Sequence, residues 1–189
     1  MPTDTKTALL DSAERAARTF GFDGFSYADL AEDVGIRKAS IHHHFPSKAL
    51  LSVELMQRYY SGFEAVCADI DATTETGGAR LRKLVQRYRD SLNGGKSLCL
   101  CVSFSTSRES LPPEVIQQIG HFRSMMIGWL KTTFLLGKAD GSIASVIDAN
   151  MEASATLPLL EGAQVAARAE ANLDLFDAAL QLFLQRITD

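Results

Sequence analysis

Apolar side chains recur along most of the chain at spacings of three and four residues, the period of an α-helix. The first stripe of this kind consists of Leu10, Ala13, Ala17 and Phe20. Gly21 and Gly24 follow it as a turn, and further stripes continue toward the C-terminus. The pattern predicts an all-α protein with about nine helices and no strand.

The stripes beyond the first 46 residues predict longer helices. These are expected over about residues 47–70, 79–92, 114–136, 142–160 and 172–187. Pro158 is expected to kink or end its helix, because proline has no N–H and clashes with the preceding turn. Residues 98–106 are apolar throughout, and their periodicity does not distinguish a strand from a helix.

Two short helices near the N-terminus are joined by a tight turn. The first follows Ser26, a good N-cap, and Asp29 is placed to complete a capping box. Gly35 then suits a left-handed residue, and the second helix covers about residues 37–45, before Pro46. This arrangement is typical of a helix-turn-helix, with a plain αα-hairpin as the alternative.

The second short helix has one apolar side and one polar side. At about 100° per residue, Ile41 and Phe45 lie together on the side that is expected to be buried. Ala39, Ser40 and His43 lie on the opposite side. A helix whose outer side is small and polar fits the major groove of DNA.

The charge distribution supports this interpretation although the total charge does not. The 189 residues carry 19 Lys and Arg against 23 Asp and Glu, a net charge of -4, which argues against nucleic acid. Residues 34–53, however, contain no carboxylate and form a local basic segment. Its positive or titratable side chains are Arg37, Lys38, His42, His43, His44 and Lys48.

Composition excludes several other classes of protein. The hydrophobic fraction of 46% and the charged fraction of 22% are those of a globular chain, not a disordered one. No apolar stretch predicts a membrane span or a secretion signal, and three cysteines fit a reducing cytoplasm. We also find no nucleophile elbow, zinc-protease histidine pair or phosphate-binding glycine loop, so an enzyme is not expected.

No metal or other cofactor is predicted. The three adjacent histidines diverge by about 100° from one to the next on a helix, so they do not converge on one ion.

Residues 26–48 resemble the DNA-binding signature of TetR-family transcriptional regulators, and the first 50 or so residues carry the whole resemblance. The upstream positions that fit the family's first helix are Leu10, Ala13, Phe20, Gly21 and Phe22. The resemblance implies a helix-turn-helix DNA-binding domain over residues 1–46 and a helical ligand-binding and dimerisation domain over residues 47–189. It implies a homodimeric repressor that binds a palindromic operator in double-stranded DNA and leaves it when a small-molecule inducer binds.

The same resemblance implies two groups of DNA contacts. Those facing bases or adjacent phosphates would be Arg37, Lys38, Ala39, Ser40 and His43. Those holding the DNA backbone would be Ser26, Tyr27, His42, His44 and Lys48. The chain departs from the family where His42 replaces the usual Tyr, Arg37 replaces Ser or Thr, and Ala39 replaces a frequent Gly.

Lys48 is expected to hold a phosphate together with the first amides of its helix. On that basis Lys48→Ala would weaken binding to all DNA sequences and lower the salt slope by about one.

The last predicted helix is apolar on more than one side, which indicates burial on more than one side. Its apolar residues are Leu173, Leu175, Phe176, Ala178, Ala179, Leu180, Leu182, Phe183, Leu184 and Ile187. The preceding segment adds Ile143, Val146, Ile147, Met151 and Leu157. We expect a homodimer through the last two helices, with a deep core helix of a monomer as the alternative.

Large apolar side chains of the middle helices are candidates for an inducer pocket, although they equally suit an ordinary core. The expected ligand-binding residues are Tyr59, Phe63, Tyr88, Cys99, Phe104, Phe122, Met125, Met126 and Trp129.

Cys99 and Cys101 admit two interpretations. They are either small buried hydrophobes or the reactive thiols of a repressor that responds to oxidants or electrophiles. A thiol sensor is therefore the alternative function.

Overall fold

The computed structural model describes residues 4–188, and this part of the chain consists of nine α-helices, one short 3-10 helix and connecting loops. The α-helices are α1 (Thr5–Phe20), α2 (Tyr27–Val34), α3 (Lys38–His44), α4 (Lys48–Thr73), α5 (Gly77–Asp90), α6 (Leu100–Ser105), α7 (Pro113–Asp140), α8 (Ala149–Glu170) and α9 (Leu173–Leu184). The 3-10 helix is Arg108–Ser110. The predicted all-α fold is confirmed, and the ambiguous residues 98–106 contain the helix α6.

The helix α8 differs from its predicted course at both ends. It begins at Ala149 because the Asp148 side chain accepts hydrogen bonds from the amides of Asn150 and Met151, at 2.7 and 2.9 Å. Pro158 does not end the helix, because α8 continues past the predicted end near residue 160 to Glu170. Pro158 lies on an exposed side of the helix, where water can satisfy the backbone carbonyl that the proline leaves unpaired.

The chain divides into two compact units. The first contains the described residues up to Ser61 together with Leu100–His121, and the second contains Gly62–Cys99 and the described residues from Phe122 onward. The helices α4 and α7 contribute residues to both units. The predicted functional boundary after residue 46 remains a prediction.

The first unit is built around the apolar side of α1. Ala17 is completely buried, and its carbonyl accepts a hydrogen bond of 2.6 Å from the Ser103 hydroxyl of α6. Phe22 packs edge to face on Phe104, with ring centroids 5.7 Å apart. The prediction that Phe20 lies on the buried side is wrong, since its side chain is 67% exposed. Phe20 ends α1, and Phe22, beyond the turn, fills the interior instead.

A buried glutamine ties together three segments of the second unit. Gln164 of α8 is completely buried, and its Oε1 accepts a hydrogen bond of 2.9 Å from the Cys99 amide. Its Nε2 donates to the Tyr88 carbonyl at 2.8 Å and to the Ser91 hydroxyl at 2.9 Å. Because every polar atom of this amide has a partner, the unit holds it in the core without a large desolvation cost.

Candidate nucleic-acid interface

The local signals of the helix-turn-helix form as the sequence predicts. The Ser26 hydroxyl accepts a hydrogen bond of 3.2 Å from the Ala28 amide, and the Ser26 amide donates to the Asp29 carboxylate at 2.7 Å. These hydrogen bonds from Ser26 lower the pKa of Asp29. Gly35 ends α2 with a φ of 73°, the left-handed conformation that glycine adopts without strain. The chain therefore turns sharply into α3.

The helix α3 separates its two sides as the helical projection predicts. Ile41 is 0% exposed and Phe45, directly after the helix, is 1% exposed. The opposite side is open to solvent, and its exposed residues are Lys38, Ala39, Ser40, His42 and His43. Buried anchors on one side fix the helix in place, so that its small polar side faces outward.

Positive charge concentrates at the start of α3. Arg37 and Lys38 are exposed, and neither forms an ion pair within residues 4–188. Arg15 of the same unit differs, because it pairs with Asp33 at 2.6 Å. The start of α3 therefore presents two uncompensated cations beside the polar outer side, a suitable combination for DNA phosphates.

Tyr27 holds α3 from inside the unit. Its hydroxyl donates a hydrogen bond of 2.9 Å to the Phe45 carbonyl, at the end of α3. The side chain is buried, and this burial raises the pKa of Tyr27 to about 12. The implied direct contact with the DNA backbone does not fit this position, because the hydroxyl is already used within the protein.

Lys48 is also directed into the unit. Its ammonium group donates to the Phe25 carbonyl at 2.5 Å and lies 4.1 and 4.7 Å from the ring centroids of Phe25 and Phe22. Burial lowers the pKa of Lys48. The expected role of this ammonium as a phosphate contact does not fit its geometry, which instead ties the start of α4 to the turn before α2.

The remaining predicted backbone contacts lie near the outer surface. Ser26 is exposed, and its hydroxyl also donates to Asp29 at 2.8 Å. Nδ1 of the exposed His42 lies 3.4 Å from the Pro46 carbonyl, and its ring is 5.0 Å from that of Tyr27. His44 is half-buried, with its ring 5.6 Å from that of His43.

Three of the predicted ligand-binding residues lie together in the second unit. Phe63, Tyr88 and Phe122 form an aromatic cluster in the second unit, with centroids 5.9 Å apart for Phe63 and Tyr88 and 5.2 Å for Phe63 and Phe122. Trp129 is half-buried and directs its indole N–H to Asp71 at 3.2 Å. Met125 is half-buried, and the remaining four residues are buried: Tyr59, Cys99, Phe104 and Met126.

The second unit has an open hollow at a different place from the predicted ligand-binding residues. It has a volume of about 490 Å³ and lies along α4 and α5, and none of the predicted ligand-binding residues lines it. Its lining is Ala65, Val66, Asp69, Ile70, Lys83, Gln86, Arg87 and Asp90. Sequence periodicity does not find such a hollow, because it marks buried stripes and not gaps between exposed residues.

The three cysteines are all buried. Burial, followed by the nearby carboxylates of Asp71 and Glu64, raises the pKa of Cys67 to about 12. Cys99 and Cys101 are each 1% exposed. Low exposure disfavours thiol reactivity in this conformation, because oxidants and electrophiles must reach the sulfur.

The helices α8 and α9 leave apolar side chains in solvent. Met151 is 71% exposed and Leu182 is 78% exposed, and Ile147, Leu159 and Val165 are exposed too. The sequence analysis expected further apolar residues in the dimer contact, but these are buried in the second unit. They are Ile143, Val146, Leu157, Phe176, Leu180 and Ile187. Leu159 and Leu182 line one hollow between α8 and α9, so these two exposed side chains lie on the same surface.

Residues 4–188 contain neither a candidate metal-binding cluster nor a candidate membrane span. No group of three or more His, Cys, Asp or Glu side chains there could hold a metal ion. In the same part of the chain, no helix is long and apolar enough to cross a membrane.

The capped turn, the outward polar side of α3 and the all-helical fold define a helix-turn-helix DNA-binding protein. Residues 9–55 match the sequence model of the family described as bacterial regulatory proteins, tetR family. The fold matches a TetR-family regulator from Agrobacterium tumefaciens over 100% of both chains, with 28% identity and a TM-score of 0.93. The sequence match over residues 9–55 and the likeness of the whole fold both support the TetR family of transcriptional regulators.

Two further proteins are similar to this chain. A TetR regulator from Legionella pneumophila has 26% identity and a TM-score of 0.88, with 100% of both chains covered. The transcriptional repressor NemR of Escherichia coli K12 is 27% identical over 108 residues, which are 54% of this chain and 53% of NemR. The chain thus spans about half the length of this curated relative. The fold of reduced NemR covers 98% of this chain and 97% of that one, with 21% identity and a TM-score of 0.83.

The internal partners of Lys48 and Tyr27 are the features that sequence reasoning missed. A signal was present, since Phe22 and Phe25 flank the first turn and can supply two ring faces to one cation.

Proposed function

We propose that the protein is a homodimeric repressor that binds a palindromic DNA operator in the cytoplasm and is released by a small molecule. The observation that carries the proposal is the outer side of α3, which is polar and exposed opposite the buried Ile41 and Phe45. Repression is favoured because the related NemR is named a repressor.

In the proposed complex, the outer side of α3 enters the major groove. The residues facing bases or adjacent phosphates are Arg37, Lys38, Ala39, Ser40 and His43, while Ser26, His42 and His44 hold the backbone. Tyr27 and Lys48 act as positioning residues, because their polar atoms bond inside the unit.

DNA binding is tested with duplexes recovered by selection from a random pool. Lys38→Ala should weaken binding and lower the salt slope by about one per contact, because an exposed cation on α3 releases counterions from phosphate. Lys131→Ala is a matched control: Lys131 is exposed on α7, in the second unit, and its loss should leave the slope unchanged. Failure to recover any preferred duplex would contradict the proposal.

Dimerisation is proposed through the exposed apolar sides of α8 and α9. Two DNA-reading heads must sit about 34 Å apart to bind successive turns of one operator, and a two-fold dimer provides this spacing. Leu182→Glu should convert the dimer into monomers, because it places a charge in the proposed contact. Leu135→Glu is the control, since Leu135 is exposed on α7. Light scattering that shows a dimer for both variants would contradict this contact.

The inducer is proposed to be a small apolar or amphipathic molecule that binds in the second unit. The cluster of Phe63, Tyr88 and Phe122 supplies aromatic surface of the kind that lines ligand pockets. Thermal-shift screening should yield compounds that both stabilise the protein and release the selected duplex. Compounds that stabilise the protein without changing its DNA affinity would not support an inducer role.

Thiol sensing is the second candidate, favoured by the likeness to the repressor NemR and to its reduced form. It requires the buried Cys99 or Cys101 to become accessible in a minor conformation. If the thiols sense oxidants, Cys99→Ser and Cys101→Ser should abolish oxidant-dependent release of DNA and leave binding under reducing conditions intact. Release that persists in the double variant would refute this candidate.

A further inference from the structure

The outer surface of α3 contains side chains that can change charge near neutral pH. His42 and His43 are exposed and His44 is half-buried, within a segment, residues 34–53, that has no carboxylate. Imidazole is the side chain whose charge normally changes between about pH 5 and pH 8.

The ring of His42 has a defined orientation. Its Nδ1 lies 3.4 Å from the Pro46 carbonyl oxygen. A carbonyl only accepts hydrogen bonds, so this contact is a hydrogen bond in the tautomer that carries the hydrogen on Nδ1. In a neutral imidazole the other nitrogen, Nε2, then has a lone pair and only accepts. Nε2 gains an N–H only when the whole ring is protonated.

This orientation restricts what His42 can do at a DNA backbone. Phosphate oxygens are acceptors only, so neutral His42 would point one acceptor at another. We propose that His42 contacts the operator phosphate only as an imidazolium, so that operator binding takes up one proton at each DNA-reading head. The inference rests on the proposed DNA-binding function and adds that operator binding is coupled to proton uptake.

Most charged side chains on the helices around α3 are engaged within the protein. The ring packed against His42, Tyr27 of α2, stays neutral because burial raises its pKa to about 12. The charged side chains on the adjoining parts of α1, α2 and α4 are Lys6, Asp29, Glu32, Asp33 and Lys48. All of these except Glu32 have an internal partner. In the proposed complex, the DNA phosphate at Nε2 is the anion that favours the charged ring.

Bound DNA stabilises the protonated ring, so affinity is greatest in mild acid and falls as the pH rises. Each coupled proton changes the dissociation constant by up to about tenfold per pH unit. With one proton per head in a dimer, we expect the dissociation constant to rise at least about tenfold between pH 6 and pH 8.

The experiment is a fluorescence-anisotropy titration of a labelled duplex selected from a random pool, at constant ionic strength across this pH range. Wild type should show the pH-dependent affinity. His42→Tyr should reduce that dependence by the one proton assigned to His42, because a phenol donates to phosphate without taking up a proton. His121→Gln, which changes an exposed histidine of α7, should keep the dependence of the wild type.

The outcomes separate the two proposals. A wild type whose affinity is independent of pH, or a His42→Tyr variant that keeps the full dependence, would overturn the proton coupling while DNA binding stands. Absence of binding at every pH would instead refute the DNA-binding function and this inference with it. If the variant does not fold, imidazole nitrogen chemical shifts of the wild type decide. His42 should be neutral with hydrogen on Nδ1 when free at pH 8, and doubly protonated when bound near pH 7. A neutral ring in the complex would overturn the proposal.

Discussion

Lys48→Ala distinguishes a structural lysine from a DNA-contacting lysine. In the structure its ammonium donates to the Phe25 carbonyl at 2.5 Å and lies within 5 Å of the ring centroids of Phe22 and Phe25. A hydrogen bond from a charged donor contributes about 1.5–3 kcal/mol when well placed, and a cation–π contact about 0.5–1 kcal/mol at exposed sites. Because the side chain is only half-buried, we discount the sum and expect a loss of about 2 kcal/mol.

Thermal unfolding and DNA titrations at several salt concentrations measure the two effects separately. For a chain of this length, a loss of about 2 kcal/mol lowers the melting temperature by about 4–8 °C. DNA affinity should fall because the turn before α2 loses its anchor, while the salt slope stays at the wild-type value. Lys38→Ala, on the exposed start of α3, should show the reverse pattern of a reduced slope and unchanged stability.

The structural reasoning for Lys48 would be refuted by unchanged stability together with a salt slope lowered by about one. That result would restore the phosphate contact that the family resemblance implies, with the ammonium turning outward in the complex.

Two further predictions concern stability. Gly77→Ala should lower the free energy of unfolding by about 3 kcal/mol or more, because its new Cβ would lie 2.3 Å from the Gly137 backbone nitrogen. Gly62→Ala has open space around it and should stabilise α4 by about 0.5–1 kcal/mol. Urea unfolding compares the two variants, and equal stabilities would contradict the close approach at Gly77. Hydrogen bonds from backbone or hydroxyl donors lower the pKa of Asp29 and Asp148. The two carboxylates therefore contribute fully to folding stability above the ordinary carboxyl pKa of about 4, and this contribution is lost as the pH falls through the lowered pKa. Replacing both by Asn should flatten the acid limb of the stability curve, and an unchanged acid limb would exclude these caps as its cause.

The features predictable from the sequence are those set by neighbouring residues. Ser26 and Asp29 lie three residues apart, so one short segment contains the whole capping box. The same holds for the alternation along α3 that buries Ile41 and exposes Ser40. Local signals of this kind do not depend on which distant segment packs against them.

The features that the sequence did not predict depend on distant contacts. Helical spacing places Phe20 on the stripe with Ala17, but only the position of α6 decides that Phe22 fills the interior. Ile143 pairs with Ile187 as an isolated antiparallel bridge, which holds the residues before α8 out of a helix. Lys48 donates to the Phe25 carbonyl, 23 positions earlier in the chain, so helical periodicity cannot predict this partner.

The central claim, that the outer side of α3 reads DNA, is tested most directly by a change of sequence preference. Duplexes selected from a random pool by the wild type should share a palindrome whose half-sites lie about one helical turn apart. Ser40→Asn should alter the preferred bases at the same position in both half-sites, because this side chain lies on the exposed side of α3. An identical motif for both proteins, or one without two-fold symmetry, would contradict the account.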